Sequence, residues 1–130
     1  MIDLKTIQVV LFILFVHWIA DFVLRTDKQA KGKSKNWDDL LDHTLNYSAV
    51  WYGTGMLFQI FTNGKAFEVW AVSEFTLITF IFHTITDYFT SRLNSKLYDK
   101  GQIHNFFVSI GFDQLLHYTQ LLFTYWYLTK

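Results

Sequence analysis

The stretch VWAVSEFTLITFIFHTITDYF (69–89) decides the fold. Its core, FTLITFIF (75–82), is apolar or aromatic on every side of a helix. A helix of a soluble bundle would instead show one apolar and one charged face. Its length is close to the roughly 20 residues that an α-helix needs to cross a bilayer. His83 and Asp87 lie near its end, four residues apart, and so share one helical face. Ionisable groups are costly in hydrocarbon and are usually functional there.

Working outward, three more apolar stretches run roughly over 7–24, 40–61 and 106–128, with LFILFV (11–16) and LLFTYWYL (121–128) equally apolar all round. Hydrophobic residues make up 52% of the 130-residue chain and charged residues 17%, which fits one integral membrane domain over 1–130 rather than several soluble ones. The expected fold is all-α, a four-transmembrane-helix bundle. The first stretch is not a cleavable signal peptide, because it lacks a small-residue cleavage site and contains His17 and Asp21. Without Cys, neither a disulfide nor a thiolate ligand is available. The net charge of zero gives nucleic acid no footprint. Nothing in the sequence bars a homo-oligomer.

Each stretch carries one His–Asp pair at the same spacing: His17/Asp21, Asp39/His43, His83/Asp87 and Asp113/His117. Lys and Arg fix the orientation. Arg25, Lys28, Lys31, Lys33, Lys35, Arg92, Lys96 and Lys100 fall in the first and third connections, against Lys5, Lys65 and Lys130 elsewhere. The positive-inside rule then places those connections in the cytoplasm and both termini outside the inner membrane. Trp70, Tyr125, Trp126 and Tyr127 fall at the outer helix ends, as an aromatic belt would. With this topology, most of the eight His and Asp residues lie within roughly 15 Å of the cytoplasmic face at 1.5 Å per residue.

The pairs also form an internal repeat. HWIADF (17–22) matches HTITDYF (83–89), and DDLLDH (38–43) matches FDQLLH (112–117). Two parallel helix-pair repeats imply a pseudo-two-fold axis along the membrane normal. Imidazole and carboxylate at i, i+4 suit zinc, iron or manganese, with zinc favoured, and facing helices of a bundle can hold two such ions. His17, Asp21, Asp39, His43, His83, Asp87, Asp113 and His117 are the candidate ligands. A dication also removes the cost of several aspartates in hydrocarbon. A His–Asp hydrogen-bond network or a proton relay is the competing use of the same residues.

Asp39 is the weakest candidate, since it or Asp38 suits an N-cap. Asp42 reads as solvated, and His104 as a surface or capping residue. Arg25 and Arg92 follow Asp21 and Asp87 closely; they either snorkel to the headgroups or hold an anionic substrate group. KQAKGKSK (28–35) reads as the loop that sets orientation. Tyr47 and Tyr118 are either core residues or proton donors beside a metal. Gly53 and Gly55 suit close helix approach.

HxxxDF (17–22), LLxH (40–43), HxxxDY (83–88) and DQxxH (113–117) resemble a family of small bacterial and phage membrane proteins catalogued as domain of unknown function 3307. The resemblance covers about Leu11 to Tyr127, and DQLLH (113–117) is its most specific part. It implies a membrane protein and carries no established reaction. Zinc-dependent membrane hydrolases that cleave lipid amides also place His and Asp on membrane helices, with a different order and spacing.

The leading functional expectation is a membrane-embedded, metal-dependent hydrolase acting from the cytoplasmic side on a lipid or lipid-linked substrate, with Asp21 and Asp87 as catalytic carboxylates and a polar cavity open to the cytoplasm. The alternatives are a metal or proton transporter component and a structural membrane protein clamped by metal or by a His–Asp network. Apolar Val10 and Leu14, outward of His17, argue against a through-path; Gln120 and Thr124 argue weakly for one.

Overall fold

In a computed structural model describing residues 1, 3–64 and 68–130, the described residues are all-helical and contain no strand. Lys65, one of the three Lys on the expected outer side, lies outside the described residues.

Helix α1 (Leu4–Trp18) starts at Asp3, whose carboxylate accepts the Thr6 N–H at 2.7 Å. It runs into a π-helical turn, Ile19–Val23, closed by Leu24 N–H to Ile19 C=O at 2.9 Å. Short helix α2 (Asp27–Gly32) follows inside the basic loop. Its signal was Thr26-x-x-Gln29: the Thr26 side chain accepts Gln29 N–H and the Gln29 side chain accepts Thr26 N–H, a reciprocal capping box. Helix α3 (Trp37–Phe61) is capped by Asn36. Helix α4 (Val69–Asp99) runs ten residues past the expected end at Phe89, because loss of apolarity marks a solvent boundary and not a helix stop. The stop is Gly101 at φ +69°, with Gln102 N–H returning to Leu97 C=O and Gly101 N–H to Tyr98 C=O. Helix α5 (Ile103–Thr129) then starts three residues before the expected Phe106.

Helix α4 packs along both α3 and α5, α1 packs on α5, the π turn meets α3, and α2 lies on the start of α3. Ile13, Val16, Ala20, Tyr47, Trp51, Phe75 and Leu121 form the shared apolar core. Gly55 allows the approach of α4, since a Cβ there would meet Val72 at 2.6 Å, whereas Gly53 faces open space. An apolar groove of about 590 Å³, with Val9, Phe12, Trp51, Phe58 and Phe75 among its walls, opens at the end of the bundle away from the His–Asp pairs.

The polarity is inverted relative to a water-soluble bundle. Among the described residues, seventeen buried side chains are polar or charged against ten apolar ones, so the interior is held by polar contacts. Leu77, Phe82, Phe89, Phe107, Leu115 and Phe123 are among the large apolar residues that face outward. Two helical segments are long and apolar enough to cross a membrane: Leu4–Val23 and Val69–Asp99. The most apolar window of each is only 28% buried, unlike a soluble core helix. The expected spans over 40–61 and 106–128 do form long helices, but α3 and α5 fall short of the same criterion, each carrying polar residues such as Thr44 and Asn46 or Gln114 and Gln120.

Candidate metal centre

Four side chains from three elements converge on one point. Asp21 comes from the π turn, His43 from α3, and His83 and Asp87 from consecutive turns of α4. Their exposure is 0–1%, so nothing in water competes for these atoms. His43 Nε2 lies 3.1 Å from Asp21 Oδ1 and 3.2 Å from Asp87 Oδ2. His83 Nε2 lies 3.9 Å and 3.5 Å from the same two oxygens. The two Nε2 atoms are 3.3 Å apart. Ligands 2.0–2.2 Å from a tetrahedral ion stand about 3.3–3.6 Å from one another. The five separations scatter around that value, so these four side chains could hold a metal ion between them. Asp21 Oδ1 is buried and accepts no hydrogen bond despite its closeness to His43, an orphaned acceptor that a bound cation would satisfy.

A second group shares this wall. Asp21, Asp113 and His117 bring three ligand atoms within 4.8 Å of one another. His117 Nε2 stands 3.3 Å from both Asp113 Oδ1 and Asp87 Oδ1. Asp87 therefore turns one oxygen to each group. Thr90 Oγ1 donates to Asp113 Oδ1 at 2.5 Å and fixes that carboxylate.

His17 is beside the cluster but otherwise engaged. Its Nδ1 is 2.7 Å from the Tyr47 hydroxyl, and its Nε2 is 2.7 Å from Gln114 Oε1. The Gln114 amide nitrogen donates to Asp21 Oδ2 at 3.3 Å and Asp113 Oδ2 at 3.1 Å, and carboxylates only accept, so the orientation of this amide is settled. Its oxygen then requires His17 Nε2 to carry hydrogen, which leaves Nδ1 to accept from Tyr47. Both ring nitrogens are spent on protein partners, and His17 joins neither ligand group.

Asp39 does not reach the centre. It sits in the first turn of α3, where its carboxylate accepts from Asn36 Nδ2 at 2.8 Å and lies 3.4 Å from Lys28. The Asn36 hydrogen bond, aided by Lys28, holds its carboxyl below the usual range. Arg25 and Arg92 lie over the rings of Phe22 and Tyr88, with guanidinium-to-centroid distances of 5.2 and 3.7 Å, rather than over the cluster. Asp42, exposed as expected, accepts from Gln29, and His104 is exposed in the first turn of α5.

The residue that composition concealed is Lys33. It lies in the run expected to set orientation or attract anionic headgroups, yet it is 9% exposed and its ammonium stands 2.8 Å from Asp87 Oδ2. Burial disfavours that ammonium, but the Asp87 and Asp21 carboxylates outweigh burial and hold its pKa above the ordinary lysine value. Its reach depends on α2, which no hydropathy pattern reveals. One turn along α5 from His117, Gln120 Nε2 donates to Thr79 and Thr124, so these polar groups satisfy one another.

No protein-family model, curated protein or solved structure matches this chain, so the resemblance noted above stands on its motifs alone.

Proposed function

We propose that this chain is an integral membrane protein whose helices are clamped, at their basic-loop end, by a divalent transition-metal ion held by Asp21, His43, His83 and Asp87. The observation that carries this is the convergence of four buried ligand side chains whose five known ligand-atom separations run from 3.1 to 3.9 Å. Four protein ligands around one ion make a closed site, the arrangement of structural rather than catalytic zinc. Zinc fits best, with iron or manganese accepted by the same donors. Such an ion would tie the π turn, α3 and α4 together and neutralise two carboxylates that a bilayer would otherwise exclude.

In this reading all four long helices cross the inner membrane, with polar side chains turned inward and apolar ones toward lipid. Both termini lie outside, and α2 and the α4–α5 turn lie in the cytoplasm. The helix pairs α1–α3 and α4–α5 are parallel repeats about an axis along the membrane normal. The motif resemblance to domain of unknown function 3307 agrees with a membrane protein.

One observation favours the hydrolase as a second reading. The Asp21–Asp113–His117 group offers only three protein ligands and so leaves a coordination position for water or an anionic lipid headgroup. An ion there would polarise a carbonyl or phosphoryl oxygen. Asp21 and Asp87 would then be its working carboxylates, and Arg25 and Arg92 the cations at the nearby membrane edge.

The test is elemental analysis and thermal unfolding of detergent-purified protein before and after chelation. The clamp expects bound zinc and a fall in Tm of several degrees on its removal. Absence of any transition metal, with a Tm indifferent to chelator and to added zinc, leaves a metal-free His–Asp network instead. Turnover of lipid amides or phosphoesters that is lost in Asp113→Asn would establish the hydrolase.

A further inference from the structure

Asp21 divides its two oxygens between the four-residue ligand group and an amide on α5. Resting on the metal reading above, we propose that Gln114 is a positioning residue: its amide holds Asp21 to a single ligating oxygen and thereby sets the preference of the site for zinc over manganese.

Asp21 Oδ1 lies 3.1 Å from His43 Nε2 and accepts no hydrogen bond, whereas Oδ2 accepts from Gln114 Nε2 at 3.3 Å. The same amide nitrogen donates to Asp113 Oδ2 at 3.1 Å, so both of its hydrogens are used. Gln114 Oε1 accepts from His17 Nε2 at 2.7 Å, and His17 Nδ1 is bonded in turn to the Tyr47 hydroxyl at 2.7 Å. His17 and Tyr47 are fully buried, so this chain of bonds is anchored in the core. Exchanging the amide oxygen and nitrogen would aim an acceptor at two carboxylates that only accept, so the amide has one orientation. Turning Asp21 Oδ2 toward an ion would strip a buried Gln114 N–H of its acceptor, the costly way to lose a hydrogen bond.

Asp87 likewise turns one oxygen to the four-residue group. Its Oδ2 faces His43 and His83, while its Oδ1 faces His117. One oxygen from each carboxylate and one nitrogen from each imidazole make four donors, the number that tetrahedral zinc takes. Manganese favours six-coordinate, oxygen-rich surroundings. An Asp21 released from Gln114 can bring both oxygens to one ion, which raises the donor number and weakens the discrimination. Gln114 therefore acts on the ion through Asp21, without ligating it.

The experiment measures zinc and manganese dissociation constants by competition with a chelator, on full-length protein in detergent. Gln114→Met removes the amide at similar volume. Losing a partner of a metal ligand lowers metal affinity by about 10–100-fold, and that loss should fall on zinc. Manganese gains an oxygen donor and should keep its affinity, so the zinc-over-manganese ratio should fall about tenfold or more. Gln120→Met removes an amide bonded to Thr79 and Thr124 instead, and should keep the wild-type ratio. Equal weakening of both ions in Gln114→Met, as a merely structural role predicts, overturns the proposal and leaves the metal reading intact. A matching fall of the ratio in Gln120→Met does the same. Wild type that binds neither ion defeats the metal reading, and this proposal with it. Where Gln114→Met does not fold, Gln114→Asn, whose amide is one methylene too short for Asp21, gives the same test. More than four neighbours around zinc in wild type, read by X-ray absorption, overturns the proposal without any variant.

Discussion

His17–Asp21 and His83–Asp87 share spacing, order and aromatic neighbours, yet the two histidines do different work. His83 sits on continuous α-helix, stacked on Tyr47 at 3.8 Å and 11°, with Nε2 in the four-residue ligand group. His17 closes α1, and the chain then widens into the π turn that carries Asp21. One extra residue per turn changes the angular relation between them. Asp21 sends Oδ1 toward His43 of α3, while His17 is taken by Tyr47 and Gln114. The DxxxH pairs diverge as well. Asp113 is ten residues into α5, about 15 Å from its start. Asp39 is in the first turn of α3, at the depth where a carboxylate serves the helix end. Equal spacing selects a common face; backbone winding and depth select which residue on that face reaches the centre.

Removing the carboxylate on the α4 side should break the comparison most severely. Asp87→Asn deprives the four-residue group of an anion, removes a carboxylate beside His117 and leaves the buried Lys33 ammonium unpaired, which costs about 3–5 kcal/mol when a buried pair loses one partner. Thermal melting in detergent should show a large loss, and Lys33→Met/Asp87→Asn should recover part of it. A double variant no more stable than Asp87→Asn alone contradicts the pairing.

Gly32→Ala probes what the first half has and the second lacks, the α2 cover. The new methyl group has no room beside Asp39, and overpacking of this kind costs about 1–3 kcal/mol. Gly101→Ala, at the corresponding turn, meets no atom within 4 Å and pays only for its positive φ. If α2 is docked as described, protease cleavage after Lys31 or Lys35 accelerates in Gly32→Ala and not in Gly101→Ala. Equal rates would mean that α2 does not depend on this contact.

The smallest contrast is between the two DxxxH aspartates. Asp39→Ala should cost about 0.3–1 kcal/mol, the value of a carboxylate in a first helical turn, and leave metal content alone. Asp113→Ala removes a buried carboxylate tied to Thr90, Gln114 and His117, and should destabilise more in side-by-side melts. Indistinguishable melts would restore the symmetry that the sequence repeat suggests.

Much of this was legible in advance. The four long helices coincide with apolar runs, and the i, i+4 spacing places His83 with Asp87 and Asp113 with His117 on shared helical faces, four of the six side chains that meet in the two ligand groups. Three features were not. The π turn at Ile19–Val23 has no Gly or Pro to announce it. Lys33 reads as one more loop cation, because only the capping box at Thr26 and Gln29 hints at the short helix that aims it inward. Gln114 is next to Asp113 in sequence, about 100° away around the helix, so its bridge to His17 and Asp21 depends on how α5 is rotated against α1.

X-ray absorption at the zinc edge, on zinc-loaded wild type, His17→Ala and His83→Ala, tests the asymmetry most directly. A centre built from Asp21, His43, His83 and Asp87 gives two nitrogen and two oxygen neighbours at about 2.0–2.2 Å. That spectrum should be unchanged in His17→Ala, and in His83→Ala it should lose one nitrogen or vanish with the metal. A wild-type spectrum with three or four imidazoles, or a His17→Ala spectrum that loses a nitrogen while His83→Ala keeps its own, would contradict the assignment.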